Sequence, residues 1–257
     1  MREIMDVAGG APFSVQVRSA RVAFGGAPLF DRLDFSLAGG WWTCVLGPSG
    51  VGKTTLLRLI LGLEEPTGEG ALIACSDGAP LSGRVAYMAQ QDLLLPWLNV
   101  LENVRLGSRL RGEARAREGS DERARALLES VGLAQNADHY PVSLSGGMRQ
   151  RVALARTLME DRPVVLMDEP FSGLDAITRV KLQDLAAVLL RERTVLLVTH
   201  DPLEALRLGH RVHVMSGIPA RIDDALEPEG AIPRSLNDSA LLGLQGELLS
   251  RLTEAAT

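Results

Sequence analysis

Trp41-Trp42-Thr43-Cys44-Val45-Leu46 runs directly into Gly47-Pro48-Ser49-Gly50-Val51-Gly52-Lys53-Thr54, and from Lys53 to Leu61 the chain turns apolar at helical spacing. The first stretch reads as a buried strand, the last as a helix, and the glycine-rich octet between them fits the phosphate loop G-x-x-x-x-G-K-[ST]. Glycines let successive backbone N–H groups turn inward on phosphate oxygens, and the helix N-terminus adds a positive field. Lys53 supplies a mobile charge for the β- and γ-phosphates, the Thr54 hydroxyl is placed to ligate Mg²⁺, and Thr55 follows in the same turn. The plainer alternative is a glycine turn that caps a helix; the apolar strand before it and the apolar helix after it favour nucleotide binding. Strand, loop and helix together predict an α/β fold.

Upstream, Ser14 to Phe24 alternates in β fashion through Val15, Val17 and Val22, and Leu33 to Leu37 reads as a second strand after a Gly25-Gly26 turn. Downstream, Arg84 to Met88 reads as a short strand and the Pro96-Trp97 region as a loop. From about Asn99 to Glu160 the pattern is helical, with Met148, Val152, Ala155 and Met159 on one face. Val164 to Met167 and Val195 to Val198 are continuous apolar runs joined by a helical stretch from Thr178 to Glu192, the signature of two parallel buried strands and a crossover helix. The tail after Gly217 ends in an amphipathic helix from about Asn237 to Leu252.

Val164-Val165-Leu166-Met167-Asp168-Glu169 delivers a carboxylate pair to a strand end, where Asp168 is placed to hold magnesium and Glu169 to polarise water. An acidic pair there is also a common cap or solvated turn. Leu144-Ser145-Gly146-Gly147-Met148-Arg149-Gln150-Arg151 decides between these readings. A Ser-Gly-Gly loop opening an apolar helix is a second anion site, and this segment resembles the signature sequence of ATP-binding cassette ATPases.

That resemblance covers roughly Ser14 to Met215 and implies a P-loop NTPase core with a mostly parallel sheet, an N-terminal antiparallel β subdomain and an inserted helical subdomain. It implies a single domain over 1–257, with a catalytic core at 14–88 and 161–216, a helical insert at 99–160 and a short tail at 217–257. ATP and Mg²⁺ are the implied cofactors. Gln90 resembles the family's lid glutamine, touching Mg²⁺ and the attacking water, with Gln91 as the alternative assignment. Ser172-Gly173-Leu174-Asp175 resembles the D-loop, and His200 the switch histidine that bonds the γ-phosphate. Phe24, 29 residues before Lys53, takes the place of the aromatic that stacks on adenine, where tyrosine is frequent. The resemblance also implies a head-to-tail dimer in which Ser145, Gly146 and Gly147 of one copy close on the γ-phosphate held by Lys53 of the other.

The chain has 257 residues, a net charge of −5 and two cysteines, Cys44 and Cys75, without metal-ligand spacing. This balance lacks the positive field that holds nucleic acid, and free thiols explain the cysteines better than a disulfide. The start at Met1-Arg2-Glu3 carries no apolar secretory stretch, and no segment has the length of apolar residues a bilayer span requires. Seven arginines between Arg105 and Arg125, among them Arg115 and Arg117, lie beside Glu113, Glu118, Asp121 and Glu122. They read as a solvated helix face, or alternatively as a surface for anionic lipid. The leading expectation is the ATP-hydrolysing subunit of a membrane importer, peripheral on the cytoplasmic face of the inner membrane. Its partners would be integral-membrane permease subunits and, indirectly, an external solute-binding protein. The alternative is a soluble cassette ATPase of DNA repair or translation, against which stands the lack of basic extensions or zinc modules. Tyr87 to Val100, with Leu95-Pro96-Trp97 after Gln90, is similar to importers of nitrate, sulfonates, taurine and thiamine or pyrimidine precursors. There Trp97 either forms a socket for a permease helix or packs within its own subunit.

Overall fold

The computed structural model describes residues 11–112 and 119–255. The readings placed on Met1 to Glu3 and on Glu113, Arg115, Arg117 and Glu118 therefore lie outside the described residues. The chain divides into two compact units, one built from Ala11–Val85, Pro163–Glu169 and the chain from Arg191 onward, the other from Ala86–Arg162 and Pro170–Leu190.

The first unit holds a parallel sheet whose centre is β3 (Trp42–Leu46). All five of its residues are buried and both of its edges are paired, in parallel with β7 (Thr194–Val198) on one side and β8 (Arg211–Ser216) on the other. β6 (Val164–Asp168) joins the other side of β7 in parallel register, Asp168 opposite Val198. β9 (Arg221–Ile222) closes the edge antiparallel to β8. Helix α1 (Lys53–Ile60) follows the glycine loop and buries Leu56, Leu57, Leu59 and Ile60, the stripe that a 3.6-residue period requires. Two further helices of this unit are α7 (Pro202–Leu208) and α8 (Ser239–Ala255).

A second sheet in this unit is antiparallel, in the order β2-β1-β4, from β1 (Val15–Phe24), β2 (Ala27–Leu37) and β4 (Leu72–Cys75). Gly25 and Gly26 both take positive φ, +57° and +85°, which matches the two-residue turn that suits the twist of a hairpin. β2 begins at Ala27, not at Leu33 as the alternation indicates. The register slips between Ala20 and Val22 and again before Ala23, and Arg32 sits at φ +55°, so the near half of the hairpin loses the clean period of two. Strands β4, β8 and β9 are not among those read from the sequence, although Leu72–Cys75 is a short apolar run and Val212 and Val214 alternate with polar neighbours.

The second unit takes in the residues that follow Val85 in β5 (Val85–Met88), together with α2 (Val100–Val104), α3 (Leu106–Leu110), α4 (Ser120–Ser130), α5 (Gly146–Met159) and α6 (Ala176–Leu189). α5 is its axis: Val152, Ala153, Leu154 and Ala155 are buried, as are Val100, Leu101 and Val104 of α2 and Leu127 and Leu128 of α4. Asn99 and Glu102 form a reciprocal capping box at the start of α2, at 2.8 and 3.0 Å. Arg105, Arg109, Arg111 and Arg123 pair with Asp121, Glu102, Glu160 and Asp161, so their charge is spent on local carboxylates. Among the described residues no helix is long and apolar enough to cross a membrane, and both cysteines are free and buried.

Candidate functional site

In the first unit the glycine octet turns between the end of β3 and the start of α1. Gly47 sits at φ +152°, where an added Cβ would meet the Met215 carbonyl oxygen at 2.3 Å; only glycine lets the loop lie this close to β8. Gly52, at φ +115°, faces the Phe30 ring in the same way, 3.1 Å from where a Cβ would stand. Ser49, Gly50 and Thr54 are exposed, and Pro48, Val51, Gly52 and Thr55 are half-buried. The Lys53 ammonium donates to the carbonyls of Gly47 and Pro48 at 2.7 and 2.8 Å. Burial lowers the Lys53 pKa from its ordinary value, opposed by the nearby carboxylates of Glu169 and Asp168.

Those carboxylates arrive on β6. The Thr54 hydroxyl donates to Asp168 Oδ2 at 2.8 Å, joining the start of α1 to the end of β6. Burial raises the Asp168 pKa above the carboxylate range, and the Thr54 hydrogen bond works against it. Glu169, the next residue, is at φ +49°, and its N–H donates to the Val198 carbonyl at 2.8 Å. That bond fixes the end of β6 against the end of β7, so Glu169 and His200 emerge side by side, with His200 Nδ1 3.1 Å from Glu169 Oε2. His200 is held between buried Thr199 and Asp201, whose carboxylate caps α7 through Leu203 N–H at 2.9 Å. Phe24 is 53% exposed at the hairpin end and lines, with Pro48, Ser49, Gly50 and Val51, a cleft of about 560 Å³. The sequence-predicted residues Phe24, Gly47 to Thr55, Asp168, Glu169 and His200 thus come together in one unit.

The other predicted residues belong to the second unit. Ser145 caps α5, its hydroxyl accepting from Met148 N–H at 3.2 Å, and Ser145 and Gly146 are exposed. Gly147 faces the 173–174 segment, where an added Cβ would lie 3.4 Å from Leu174 Cδ2. Asp175 caps α6 through Thr178 N–H at 3.0 Å, and that hydrogen bond holds its carboxyl below the usual range. Gln90 and Gln91 are both exposed, two and three residues past β5.

A phosphate loop, an acid-bearing strand end beside a histidine, and a serine-capped glycine helix are the parts of one known family, and residues 30–172 match its model, described as ABC transporter. The chain belongs to the ABC transporter family. It is 45% identical over 243 residues to an uncharacterized ABC transporter ATP-binding protein of Haemophilus influenzae, covering 93% of this chain and 98% of that one. It is 41% identical over 251 residues to the aliphatic sulfonates import ATP-binding protein SsuB 2 of Burkholderia cenocepacia, covering 96% and 90%. Among solved structures it resembles the ATP-binding cassette MJ0796 in a dimeric post-hydrolysis state bound to ADP and Pi, at TM-score 0.72 and 29% identity over 84% of this chain and all of that one.

As an ABC ATPase the chain binds ATP with Mg²⁺ and hydrolyses it. The Thr54 hydroxyl and the Asp168 carboxylate fit that cation: they are hard oxygen donors 2.8 Å apart, and a dication would relieve the burial cost that now raises Asp168. Among the described residues no group of three or more His, Cys, Asp or Glu could hold a metal ion.

Sequence reasoning missed the residues that hold the loop from Asp92 to Asn99. Asn103, fully buried on α2, accepts from Leu95 N–H at 2.8 Å and donates to the carbonyls of Leu95, Leu98 and Asn99. From α5, Arg149 pairs with Asp92 at 2.9 Å and Arg156 donates to the carbonyls of Asp92 and Leu93. An asparagine inside an apolar helix was the one available signal, since a buried amide needs several partners.

Proposed function

We propose that this chain is the energy-coupling ATPase of a membrane importer for a small sulfonate-like solute, working as a head-to-tail dimer on the cytoplasmic side of permease subunits. We take 14–88 and 161–216 as its catalytic core, 99–160 as the helical insert and 217–257 as the tail. Lys53 and the N–H groups of Gly47 to Thr55 hold the phosphates, and Thr54, Asp168 and Gln90 ligate Mg²⁺ directly or through water. The cation, when bound, neutralises the charge that develops on the transferring phosphoryl group. Glu169 accepts the proton of the attacking water, and the φ of +49° directs its carboxylate out of the strand line. His200, beside Glu169, orients that carboxylate and donates to the γ-phosphate. Ser145, Gly146, Gly147 and Asp175 serve the nucleotide of the opposite copy. The dimer of the MJ0796 cassette supports this arrangement.

The observation that carries the coupling role is an apolar surface on the second unit. Trp97 is 70% exposed after Pro96, and Leu93, in the left-handed region at φ +46°, is 58% exposed. The main chain of Ala137 and His139 bonds Leu101 and Val100, which places the exposed Tyr140 and Val142 in the same neighbourhood. Exposed tryptophan on a stiffened loop fits a partner helix better than intrasubunit packing. The sulfonate relative supports import over the DNA-repair or translation alternative. The test is to purify the binding protein encoded beside this chain, measure its ligand by calorimetry, and assay ATP-driven uptake with the adjacent permease in proteoliposomes. Uptake of an aliphatic sulfonate, lost with Trp97→Asp while basal ATPase persists, is the expected result; a sugar or peptide ligand refutes the solute assignment.

A further inference from the structure

The β8–β9 hairpin has no part in the phosphate chemistry, yet it borders the nucleotide cleft. Its tip, Gly217 to Ala220, joins Ser216 to Arg221, which pair across the hairpin. Two contacts set its position: the Ala220 N–H donates to the Leu29 carbonyl of β2 at 2.7 Å, and the Met215 carbonyl lies against Gly47 of the phosphate loop. The tip therefore stands in fixed relation to both the hairpin that carries Phe24 and the loop that carries Lys53. At that tip Ile218 is 92% exposed, so apolar surface laid against it would gain its burial. Ile218 and Ala255, at the end of α8, line the same cleft as Phe24 and the phosphate loop. Among the described residues no charged side chain lines that cleft.

We propose that Ile218 and the Ala255 end of α8 form the second wall of the base site, holding adenine from the side away from Phe24. The proposal rests on the reading of this cleft as the nucleotide site. An aromatic face and an aliphatic branch hold a planar base by dispersion and area, without reading the hydrogen-bonding edge. Ile218 thus sets affinity for the base while leaving purine identity unread, and ATP and GTP depend on it equally.

Calorimetry on the full chain with Mg²⁺ and three probes, ATP, GTP and inorganic tripolyphosphate, separates the wall from the phosphate loop. Ile218→Ser should raise the Kd of ATP and of GTP about tenfold, the worth of roughly half an isoleucine side chain's burial, and leave the tripolyphosphate Kd unchanged. Ile218→Leu should restore ATP binding, and Ala255→Asp should weaken ATP with the same indifference to tripolyphosphate. The Tm of Ile218→Ser should equal that of wild type, since the side chain is exposed. Unchanged ATP binding in both Ile218→Ser and Ala255→Asp, or equal loss of ATP and tripolyphosphate, overturns the proposal while the nucleotide site stands. A wild-type chain that binds neither ATP nor tripolyphosphate overturns the site reading and the proposal together.

Discussion

Asp168 and Glu169 are adjacent carboxylates with different surroundings, and the difference separates their tasks. Asp168 is buried and bonded to Thr54, which suits it to hold a cation; Glu169 is half-buried beside His200, which suits it to meet water. Glu169→Gln should retain MgATP binding and lower turnover by about 10²–10⁴-fold, the usual worth of a positioned base. Stopped-time phosphate release at saturating ATP checks this, and turnover within a few-fold of wild type would assign the base elsewhere. Asp168→Asn gives the opposite split between stability and activity. Because burial raises the Asp168 pKa above its unfolded value, the ionised carboxylate destabilises the nucleotide-free fold at neutral pH, and that cost vanishes as pH falls below the unfolded value. The amide keeps an acceptor for Thr54, so the variant should melt higher at pH 7 than wild type, should lose that advantage in acid, and should fail to hydrolyse ATP. Thermal scans at two pH values measure the first two outcomes.

At the level of elements, the segment from Asp92 to Asn99 is held by two helices that follow it in the chain. Asn103 on α2 meets four main-chain groups, and Arg149 and Arg156 on α5 secure Asp92 and Leu93. Asn103→Ala should therefore lower stability by about 1–3 kcal/mol, since it leaves part-buried main-chain groups of Leu95, Leu98 and Asn99 without this partner. Asn103→Asp should cost at least as much, because it sets a carboxylate against three carbonyl oxygens. Urea denaturation measures both, and a cost below about 0.5 kcal/mol for each would mean that the loop finds other partners. The same contacts fix the main chain that presents Trp97 and Leu93: Leu95 and Leu98 are tied on either side of Trp97, and the Leu93 carbonyl is held by Arg156.

For the whole molecule, the division of the predicted residues between two units is what gives a dimer its use. Lys53, Thr54, Asp168, Glu169 and His200, proposed to serve phosphate, metal and water, lie in one unit, and Gln90 and the serine-capped helix lie in the other. Lys53→Ala should reduce turnover by about 10²–10³-fold, and Ser145→Arg should abolish it while the variant still binds MgATP. Mixed dimers of these two variants should recover activity, because a head-to-tail pair rebuilds one intact site of two. Absence of recovery, with mixed dimers demonstrated by differential tagging, would refute the arrangement in which Ser145 serves the opposite nucleotide.

Local sequence determined the strand, loop and helix around Lys53, the paired strands ending at Asp168 and Val198, and the capped helix after Ser145. In each, the chemistry depends on residues adjacent in the chain: glycines that free N–H groups, apolar runs buried on both faces, a hydroxyl one turn before the amide it accepts from. Those same stretches identified the family. Only the tertiary structure decided where β2 begins, because its alternation is broken by a slipped register. Only it joined Thr54 to Asp168 and Glu169 to His200, pairs brought together by parallel strand order and by no spacing along the chain. It alone placed Asn103 against the Leu95–Asn99 main chain and Ile218 on the same cleft as Phe24. A hydrophobic pattern reports which side chains are buried, whereas a site needs to know which distant backbones end at the same place.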